Sequence, residues 1–152
     1  MNGIYGFTGE HRFLSNFWFV NVELDGVIYR STEHAYQAAK AFDMTERMLI
    51  QRLSRPADAK KYAQTIKIRD DWDDVRWGIM YDLNCQKYSL PEFGDRLLET
   101  GNVYIEETNT WNDTYWGVCG GKGRNELGKI LMVIREDLRS IREDMLLDAM
   151  GR

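Results

Sequence analysis

Glu33, Gln37 and Lys40 are spaced so that one helix would carry all three on the same face, within the stretch "YRSTEHAYQAAKAF" of residues 29–42. They stand four and then three residues apart, and side chains at these separations are neighbours on a helix surface. Glu33 would lie in the first turn, where free backbone amides and the helix dipole stabilise a carboxylate. Such a carboxylate can stabilise a developing cation or take a proton from water. The alternative is a solvated polar face with a weak Glu33–Lys40 pair.

A second group of candidates lies in "WNDTYWGVCGGKGRNELG", residues 111–128, where Trp111 and Trp116 flank Asp113 ahead of a run of glycines. Aromatic rings can stack on a base while a nearby carboxylate stabilises charge on the attached sugar. Glycines let the backbone approach a phosphate or ribose closely, and a helix that begins near Asn125 could receive an anion. The glycine spacing matches neither the P-loop nor the dinucleotide fingerprint. A plain connecting loop is therefore the alternative.

Three further residues combine polar groups with an apolar or helical setting. Ser15 and Asn16 stand inside the apolar stretch "FLSNFW", residues 13–18. Small polar side chains in such a place must be hydrogen-bonded to protein or ligand, and turn formation is the simpler explanation. Arg76 lies on a predicted helix, where it could reach a phosphate or pair with Asp73.

The elements that would position these residues are a hairpin and several short helices. Asp25-Gly26 tolerates the positive φ of a tight turn and predicts strands near 17–24 and 27–30. A hydroxyl at residues 31–32 would cap a helix that continues to about Phe42, with Phe42 packed inward. The remaining segments with helix patterns are 45–54, 55–66, 69–89, 90–101 and 125–147, and short strands are predicted at 102–107 and 115–119.

Composition limits the classes of partner. The 152 residues suit one domain, and 20 basic against 24 acidic residues give a net charge of -4. This balance provides no general attraction to a nucleic-acid duplex or a membrane surface, so a nucleotide must be held by a local site. The two cysteines predict reduced thiols, and the pattern of residues 1–11 predicts no signal peptide. No window of the sequence approaches the apolar length that predicts a membrane span. These features predict a cytoplasmic protein.

No pair of histidine, cysteine or carboxylate residues has convincing metal-ligand spacing, so the sequence predicts no metal and no other cofactor. His34 points away from the face of Glu33, and no second ligand stands near it in the sequence. A structural role is the interpretation that this pattern favours for His34.

Five motifs, in this order, resemble the NADAR (YbiA-like) family. They are "FLSNF" (13–17), "Y-x-S-x-EHA-x-Q-x-x-K" (29–40), "W-x-x-x-R-x-x-x-M" (72–80), "D-x-x-WG" (113–117) and "G-x-N-x-LG" (123–128). The resemblance implies a compact single α+β domain, mostly helical with a small sheet. It covers most of the chain, which is expected to form one domain over 1–152. The tail at 142–152 is a candidate extension beyond the family pattern.

The resemblance also implies an activity, the hydrolysis of N-glycosidic bonds. The implied substrates are small phosphorylated nucleotides: ADP-ribose attached to guanine, including guanine within nucleic acid, or ribosylamino-pyrimidine phosphates of the riboflavin pathway. Membranes are not expected as partners, and the oligomeric state stays open. By this resemblance the catalytic candidates are Glu33, Lys40 and Asp113. The substrate-binding candidates are Phe13, Ser15, Asn16, Gln37, Arg76, Trp116, Gly117 and Asn125.

Two mechanisms and two rival functions remain open at this point. Glu33 and Asp113 could stabilise an oxocarbenium-like ribose and activate water, or Lys40 could attack a ring-opened ribosylamine to form a Schiff base. A binding module for ADP-ribose or a nucleotide would use the same glycines and tryptophans without turnover. A structural or interaction protein would use the long C-terminal helix, whose apolar end at 145–150 could dock a partner.

Overall fold

Six α-helices and six short strands are found among residues 2–151, which are the residues that the computed structural model describes. The strands are β1 (Gly3–Tyr5), β2 (Phe19–Leu24), β3 (Val27–Ser31), β4 (Tyr104–Glu106), β5 (Thr108–Asn109) and β6 (Val118–Cys119). The helices are α1 (Thr32–Ala39), α2 (Met44–Arg52), α3 (Pro56–Ala63), α4 (Trp72–Ser89), α5 (Pro91–Glu99) and α6 (Glu126–Ala149), and a 3-10 helix covers Gly9–Leu14. None of these helices is both long and apolar enough to cross a membrane.

Internal contacts divide the described residues into two units. One unit contains residues 2–12 and 88–151, and the second contains residues 13–87. The elements are mostly helical, and the described strands form three two-stranded sheets. This confirms the predicted α+β class.

The 13–87 unit begins with the hairpin that the sequence predicts. Asp25 and Gly26 have φ values of 50° and 82°, as a tight turn between twisted strands requires. β2 and β3 pair antiparallel, with Leu24 opposite Val27. β2 starts two residues later than predicted, because the amide of Trp18 bonds to the carbonyl of Ser15 in a turn.

Helix α1 follows β3 directly and is buried along its whole length. Ser31 is its N-cap, and the Ser31 Oγ accepts a hydrogen bond from the His34 amide at 3.0 Å. Helix α1 contacts β2, β3, α2 and α3, and all eight of its residues are buried. Ala35 and Ala38 are fully buried, which lets these neighbours approach the helix closely. The polar face of α1 is therefore not the solvated stripe that its pattern alone would favour.

The end of α1 differs from the prediction. The helix ends at Ala39, and the amides of Lys40 and Ala41 bond to carbonyls three residues earlier, which tightens the last turn. Asp43 then caps α2 through a 2.8 Å bond to the Thr45 amide. Phe42 consequently lies in a link between two helices. It is 64% exposed rather than packed inward, and the Arg69 guanidinium lies 4.1 Å from its ring centroid.

The second unit joins chain segments that are far apart in the sequence. β1 pairs in parallel with β4, and β5 pairs in parallel with β6. α6 packs on β4 and α5, and its buried residues include Leu127, Leu131 and Ile134. The strand predicted at 115–119 is shortened to β6, because a turn occupies its first residues.

Candidate active site

The first turn of α1 holds the Glu33 carboxylate in a buried place. Glu33 is 7% exposed, and its backbone amide donates to the Asn16 carbonyl at 3.0 Å. The first turn of a helix carries the positive end of its dipole, which favours a negative charge there. The fold therefore provides a buried site suited to a carboxylate at Glu33.

Gln37 lies one turn further along α1 and contacts Glu33 directly. Its Nε2 donates to Oε1 of Glu33 at 2.7 Å, and the Gln37 side chain is 3% exposed. This bond fixes the amide orientation, because the reversed amide would place its oxygen against the carboxylate. The Gln37 Oε1 is buried and has no hydrogen-bond partner among residues 2–151. A buried acceptor without a donor costs roughly 1–3 kcal/mol, so a ligand with a hydroxyl or N–H donor would relieve that cost.

The segment of residues 13–16 lies next to the first turn of α1 and, like Gln37, carries a buried oxygen acceptor. The Ser15 Oγ accepts from the Phe17 amide at 3.0 Å, so Ser15 forms the turn that its sequence context suggested. Asn16 is 7% exposed and donates from Nδ2 to the sulfur of Met80 at 3.3 Å. Within the described part of the chain, the Asn16 Oδ1 is buried without a hydrogen-bond partner. Phe13 is 3% exposed and anchors the start of this segment in the core.

Lys40 is half-buried beside two aromatic rings. Its Nζ lies 5.5 Å from the ring centroid of Tyr36 and 6.0 Å from that of Trp72, and these two rings are 5.1 Å apart. Ring faces at this distance attract an ammonium group. The Lys40 carbonyl accepts from the Arg69 amide at 2.7 Å, which fixes the backbone at the end of α1. Lys40 is thus the C-cap of the helix whose first turn carries Glu33.

The sequence allowed Arg76 either to reach a phosphate or to pair with Asp73, and the structure shows the contact with Asp73. Its Nε lies 3.9 Å from Oδ1 of Asp73, whose side chain is 87% exposed, while the Arg76 side chain is 27% exposed. An exposed ion pair at this distance contributes little to stability. Binding of an anion by Arg76 stays a prediction from the sequence.

Lys87 is a buried cation in this unit that sequence analysis does not select. It is fully buried, and its Nζ donates to the carbonyls of Phe13 at 2.5 Å and Ser15 at 3.0 Å. The available signal was its spacing, because Met80 and Leu83 precede it by seven and four residues on the buried side of α4. A lysine on the apolar stripe of a helix indicates a buried charge with a specific task.

Both ring nitrogens of His34 bond to groups of the protein itself, which agrees with the structural role predicted for it. Its Nε2 lies 2.8 Å from the Leu53 carbonyl and its Nδ1 lies 2.7 Å from the Ser31 Oγ. A carbonyl only accepts, so Nε2 carries the proton and Nδ1 accepts from the Ser31 hydroxyl. Burial lowers the pKa of His34 below 6.5, the Leu53 hydrogen bond partly opposes this, and the charge of Arg30 lowers it further.

We expect the free energy of unfolding to decrease as the pH falls below 6.5, the ordinary pKa of histidine. The unfolded chain binds a proton more readily than the folded one, so the stability is present above that pH and lost toward the folded pKa. Denaturant unfolding at about pH 7.5 and pH 5.5 measures this change. His34→Gln should flatten the pH dependence of the free energy of unfolding, because glutamine does not titrate. An unchanged slope in His34→Gln would contradict the assignment.

The other four candidate residues belong to the unit formed by residues 2–12 and 88–151. Asp113 is half-buried, and its Oδ1 accepts hydrogen bonds from the amides of Tyr115 at 3.1 Å and Trp116 at 2.8 Å. The carbonyl of Asp113 accepts from Asn109 Nδ2 at 2.8 Å. Trp116 is 8% exposed, and its ring meets that of Tyr115 edge to face at 4.7 Å. Asp113 thus organises the loop that carries Trp116.

Gly117 and Asn125 hold the same loop against its neighbours. A Cβ at Gly117 would lie 2.1 Å from the Glu107 carbonyl oxygen, so only glycine fits there. Asn125 has a φ of 54°; its Oδ1 accepts from the Glu107 amide at 3.0 Å, and its Nδ2 donates to the Ile105 carbonyl at 2.9 Å. The side chain of Asn125 therefore connects β4 to the start of α6.

Potential metal ligands are dispersed over the described part of the chain. Among residues 2–151, no group of three or more histidine, cysteine, aspartate or glutamate side chains is arranged to hold a metal ion. Cys85 and Cys119 are not joined in a disulfide.

Residues 5–139 match the sequence model of the NADAR domain. The chain belongs to the NADAR family. All five motifs that suggested the family lie inside the matched range, so the resemblance is confirmed. Within this family the chain is 33% identical over 138 residues to the N-glycosidase YbiA of Escherichia coli (strain K12), covering 88% of this chain and 86% of that protein.

The match covers very different shares of two other relatives. A riboflavin biosynthesis protein of Vibrio vulnificus is 35% identical over 134 residues, and the match covers 86% of this NADAR chain but only 36% of the Vibrio protein. An N-glycosidase of Nostoc punctiforme is 31% identical over 135 residues, covering 84% of this chain and 85% of that protein.

The NADAR fold is also found among solved structures. The NMR structure of the E. coli protein YbiA matches with a TM-score of 0.80 and 31% identity, and it covers 93% of this chain and 88% of that chain. The mixed helical and small-sheet architecture described above is therefore that of YbiA.

Proposed function

We propose that this NADAR protein is an N-glycoside hydrolase that cleaves the bond between ribose and a base in a phosphorylated, nucleotide-like substrate. The observation that carries the proposal is the buried pair of Glu33 and Gln37 on the first two turns of α1, joined by a 2.7 Å hydrogen bond. Two relatives that match most of their length are named N-glycosidases, which supports the same class of reaction.

The chemistry of this bond requires a carboxylate near the sugar. Cleavage passes through a ribose with oxocarbenium character, and glycosidases use carboxylates to stabilise that charge or to activate water. Glu33 would supply the negative charge from a buried place, where electrostatic interactions are stronger than in water. Gln37 holds one oxygen of that carboxylate in position. Its unpartnered Oε1 would accept a hydrogen bond from the substrate.

Two versions of the reaction differ in what Lys40 does. In the first, water attacks the anomeric carbon and Lys40 holds a phosphate of the substrate. In the second, the ribose ring is open, the Lys40 amine attacks the C1 imine, and the base leaves with a proton as a free amine. Water then hydrolyses the new imine and regenerates the lysine. The second version is the one we propose, because Lys40 lies seven residues from Glu33 and the helix rises about 1.5 Å per residue, leaving room for a sugar.

We propose two candidate substrates, and each is supported by a different observation. The name of the Vibrio relative supports a ribosylamino-pyrimidine phosphate of the riboflavin pathway. The NADAR motifs of the sequence support a second candidate, which is ADP-ribose attached to guanine, as a small molecule or within nucleic acid. Both compounds carry ribose, a phosphate and a base joined through nitrogen.

The proposal is tested by incubating the purified protein with each compound and measuring the free base by chromatography and mass spectrometry. Release of the base from either compound, faster than in buffer, supports a hydrolase. Saturable binding of both compounds without release of base would instead identify a binding module.

We expect a chelator such as EDTA to leave the rate of base release unchanged. No cluster of metal ligands is present among residues 2–151, and the proposed mechanism uses only carboxylate and amine groups. The measurement compares kcat before and after chelation and after adding Mg²⁺ or Zn²⁺ back. Activity that disappears with the chelator and returns with a divalent ion would contradict this prediction.

A further inference from the structure

Lys87 is fully buried on α4, and its ammonium donates to two backbone carbonyls of the segment 13–16. The distances are 2.5 Å to the Phe13 oxygen and 3.0 Å to the Ser15 oxygen. Removing an ammonium group from water costs free energy, and an apolar side chain of similar length would avoid that cost. The two bonds therefore define a specific task for the charge, which is to hold this segment.

The segment held by Lys87 continues into the first turn of α1. Asn16 follows Ser15 directly, and its carbonyl accepts the Glu33 amide at 3.0 Å. Its side chain is fixed at the same time, because Nδ2 donates to the Met80 sulfur at 3.3 Å. Met80 and Lys87 both belong to α4. Helix α4 thus holds the segment through two side chains. The Asn16 Oδ1 has no hydrogen-bond partner within residues 2–151.

We propose that Lys87 is a positioning residue that presents Asn16 to the substrate and holds the Asn16 backbone against the first turn that carries Glu33. Its assignment to catalysis rests on the proposed hydrolase function. Lys87 acts through two carbonyl oxygens and does not itself touch the reacting atoms. Without its ammonium, the Phe13 and Ser15 carbonyls lose the donor that α4 supplies. The Asn16 acceptor and the hydrogen bond from the Glu33 amide to the Asn16 carbonyl are then held less firmly.

The first experiment measures this mobility without using activity. Lys87→Met removes the ammonium and keeps the length of the side chain. Hydrogen exchange followed by NMR should show faster exchange at the Glu33 and Trp18 amides, which donate to the Asn16 and Ser15 carbonyls. The matched control is Arg135→Met. Arg135 is a buried cation on α6 that donates to the Val103 carbonyl at 2.8 Å, in the other unit. Unchanged exchange at Glu33 in folded Lys87→Met would overturn the proposal.

The second experiment is a double-mutant cycle between Lys87→Met and Asn16→Ala. At a temperature where the variants are folded, Lys87→Met should lower kcat/KM about 100-fold, the effect typical of a misplacement near 1 Å. Adding Asn16→Ala to Lys87→Met should then change kcat/KM less than threefold, because both substitutions remove the same positioned acceptor. Arg135→Met should lower stability and leave kcat/KM unchanged. Effects of Lys87→Met and Asn16→Ala that simply multiply would overturn the proposal.

The two experiments separate failure of this proposal from failure of the proposed function. If the wild-type protein releases no base from either compound, the hydrolase assignment fails, and the exchange measurement alone decides whether Lys87 holds the segment. If Lys87→Met does not fold, Lys87→Gln replaces it, since the amide keeps one donor group at a shorter reach. The same exchange and kinetic results would then support or overturn the proposal.

Discussion

Glu33→Gln is expected to lower kcat for release of the base by about 10³-fold while the protein stays folded. The substitution removes the negative charge and keeps the size of the side chain. The new amide oxygen can still accept from Gln37 Nε2, which is 2.7 Å from the carboxylate oxygen in the native protein. The backbone bond from residue 33 to Asn16 does not involve the side chain. The expected loss is therefore one of charge at the transition state rather than of structure.

The measurement compares kcat and KM of the variant with those of the wild-type protein, together with thermal unfolding. Glu46→Gln is a matched control, because Glu46 also lies in the first turn of a helix, accepts a hydrogen bond from Tyr62 at 2.8 Å and is half-buried. This control should keep its kcat. A Glu33→Gln variant with a rate close to that of the wild type, on a compound that the protein turns over, would refute the role of Glu33.

Local chemistry in the sequence was enough to predict the elements around Glu33. The hairpin follows from Asp25-Gly26, because few residue pairs adopt two positive φ values in succession. The start of α1 follows from the cap at Ser31, and the first-turn position of Glu33 follows from that start. These features depend on residues close together in the chain, which is why a pattern in the sequence can reveal them.

Features that depend on distant residues were not predictable in this way. The parallel pairing of β1 with β4 joins Gly3 to Tyr104, and nothing in either segment specifies its partner. The complete burial of α1 depends on packing by β2, β3, α2 and α3, which a pattern within α1 does not contain. The position of Phe42 was predicted wrongly for a related reason. The tightened turn at Lys40 ends the helix before Phe42 can face the core.

In the candidate site too, a contact between residues close in the sequence was predicted, and contacts that depend on distant residues were not. The shared face of Glu33 and Gln37 was predicted from their spacing, and their side chains are joined by a hydrogen bond. The hydrogen bonds of Asp113 and Asn125 within their own unit appear only in the structure. Lys87 was missed because its task depends on carbonyls more than 70 positions earlier in the chain.

Lys40 distinguishes the two versions of the proposed reaction, and we expect it to be the nucleophile. Its Nζ lies beside the rings of Tyr36 and Trp72, at 5.5 and 6.0 Å from their centroids. These rings limit the motion of the side chain and shield part of it from water. An amine held in one place next to an open-chain sugar gains the advantage of an intramolecular reaction.

Lys40→Arg should therefore lower kcat by about 10³-fold, because a guanidinium group keeps the positive charge but cannot form an imine with C1. Borohydride added to the wild-type protein during turnover should reduce the imine to a stable amine. Peptide mass spectrometry should then find the ribose-derived mass on the peptide that contains Lys40.

Lys61→Arg is the matched control for this prediction, since Lys61 is an exposed lysine on α3. It should keep the wild-type kcat and still yield the adduct on Lys40. A phosphate clamp would behave differently, because arginine binds phosphate through two parallel hydrogen bonds and can replace lysine in that task. Lys40→Arg would then keep an appreciable kcat with a changed KM, and borohydride would leave no mass on Lys40. That result would exclude the Schiff base and leave Glu33 with an attacking water as the version of the reaction that the chain supports.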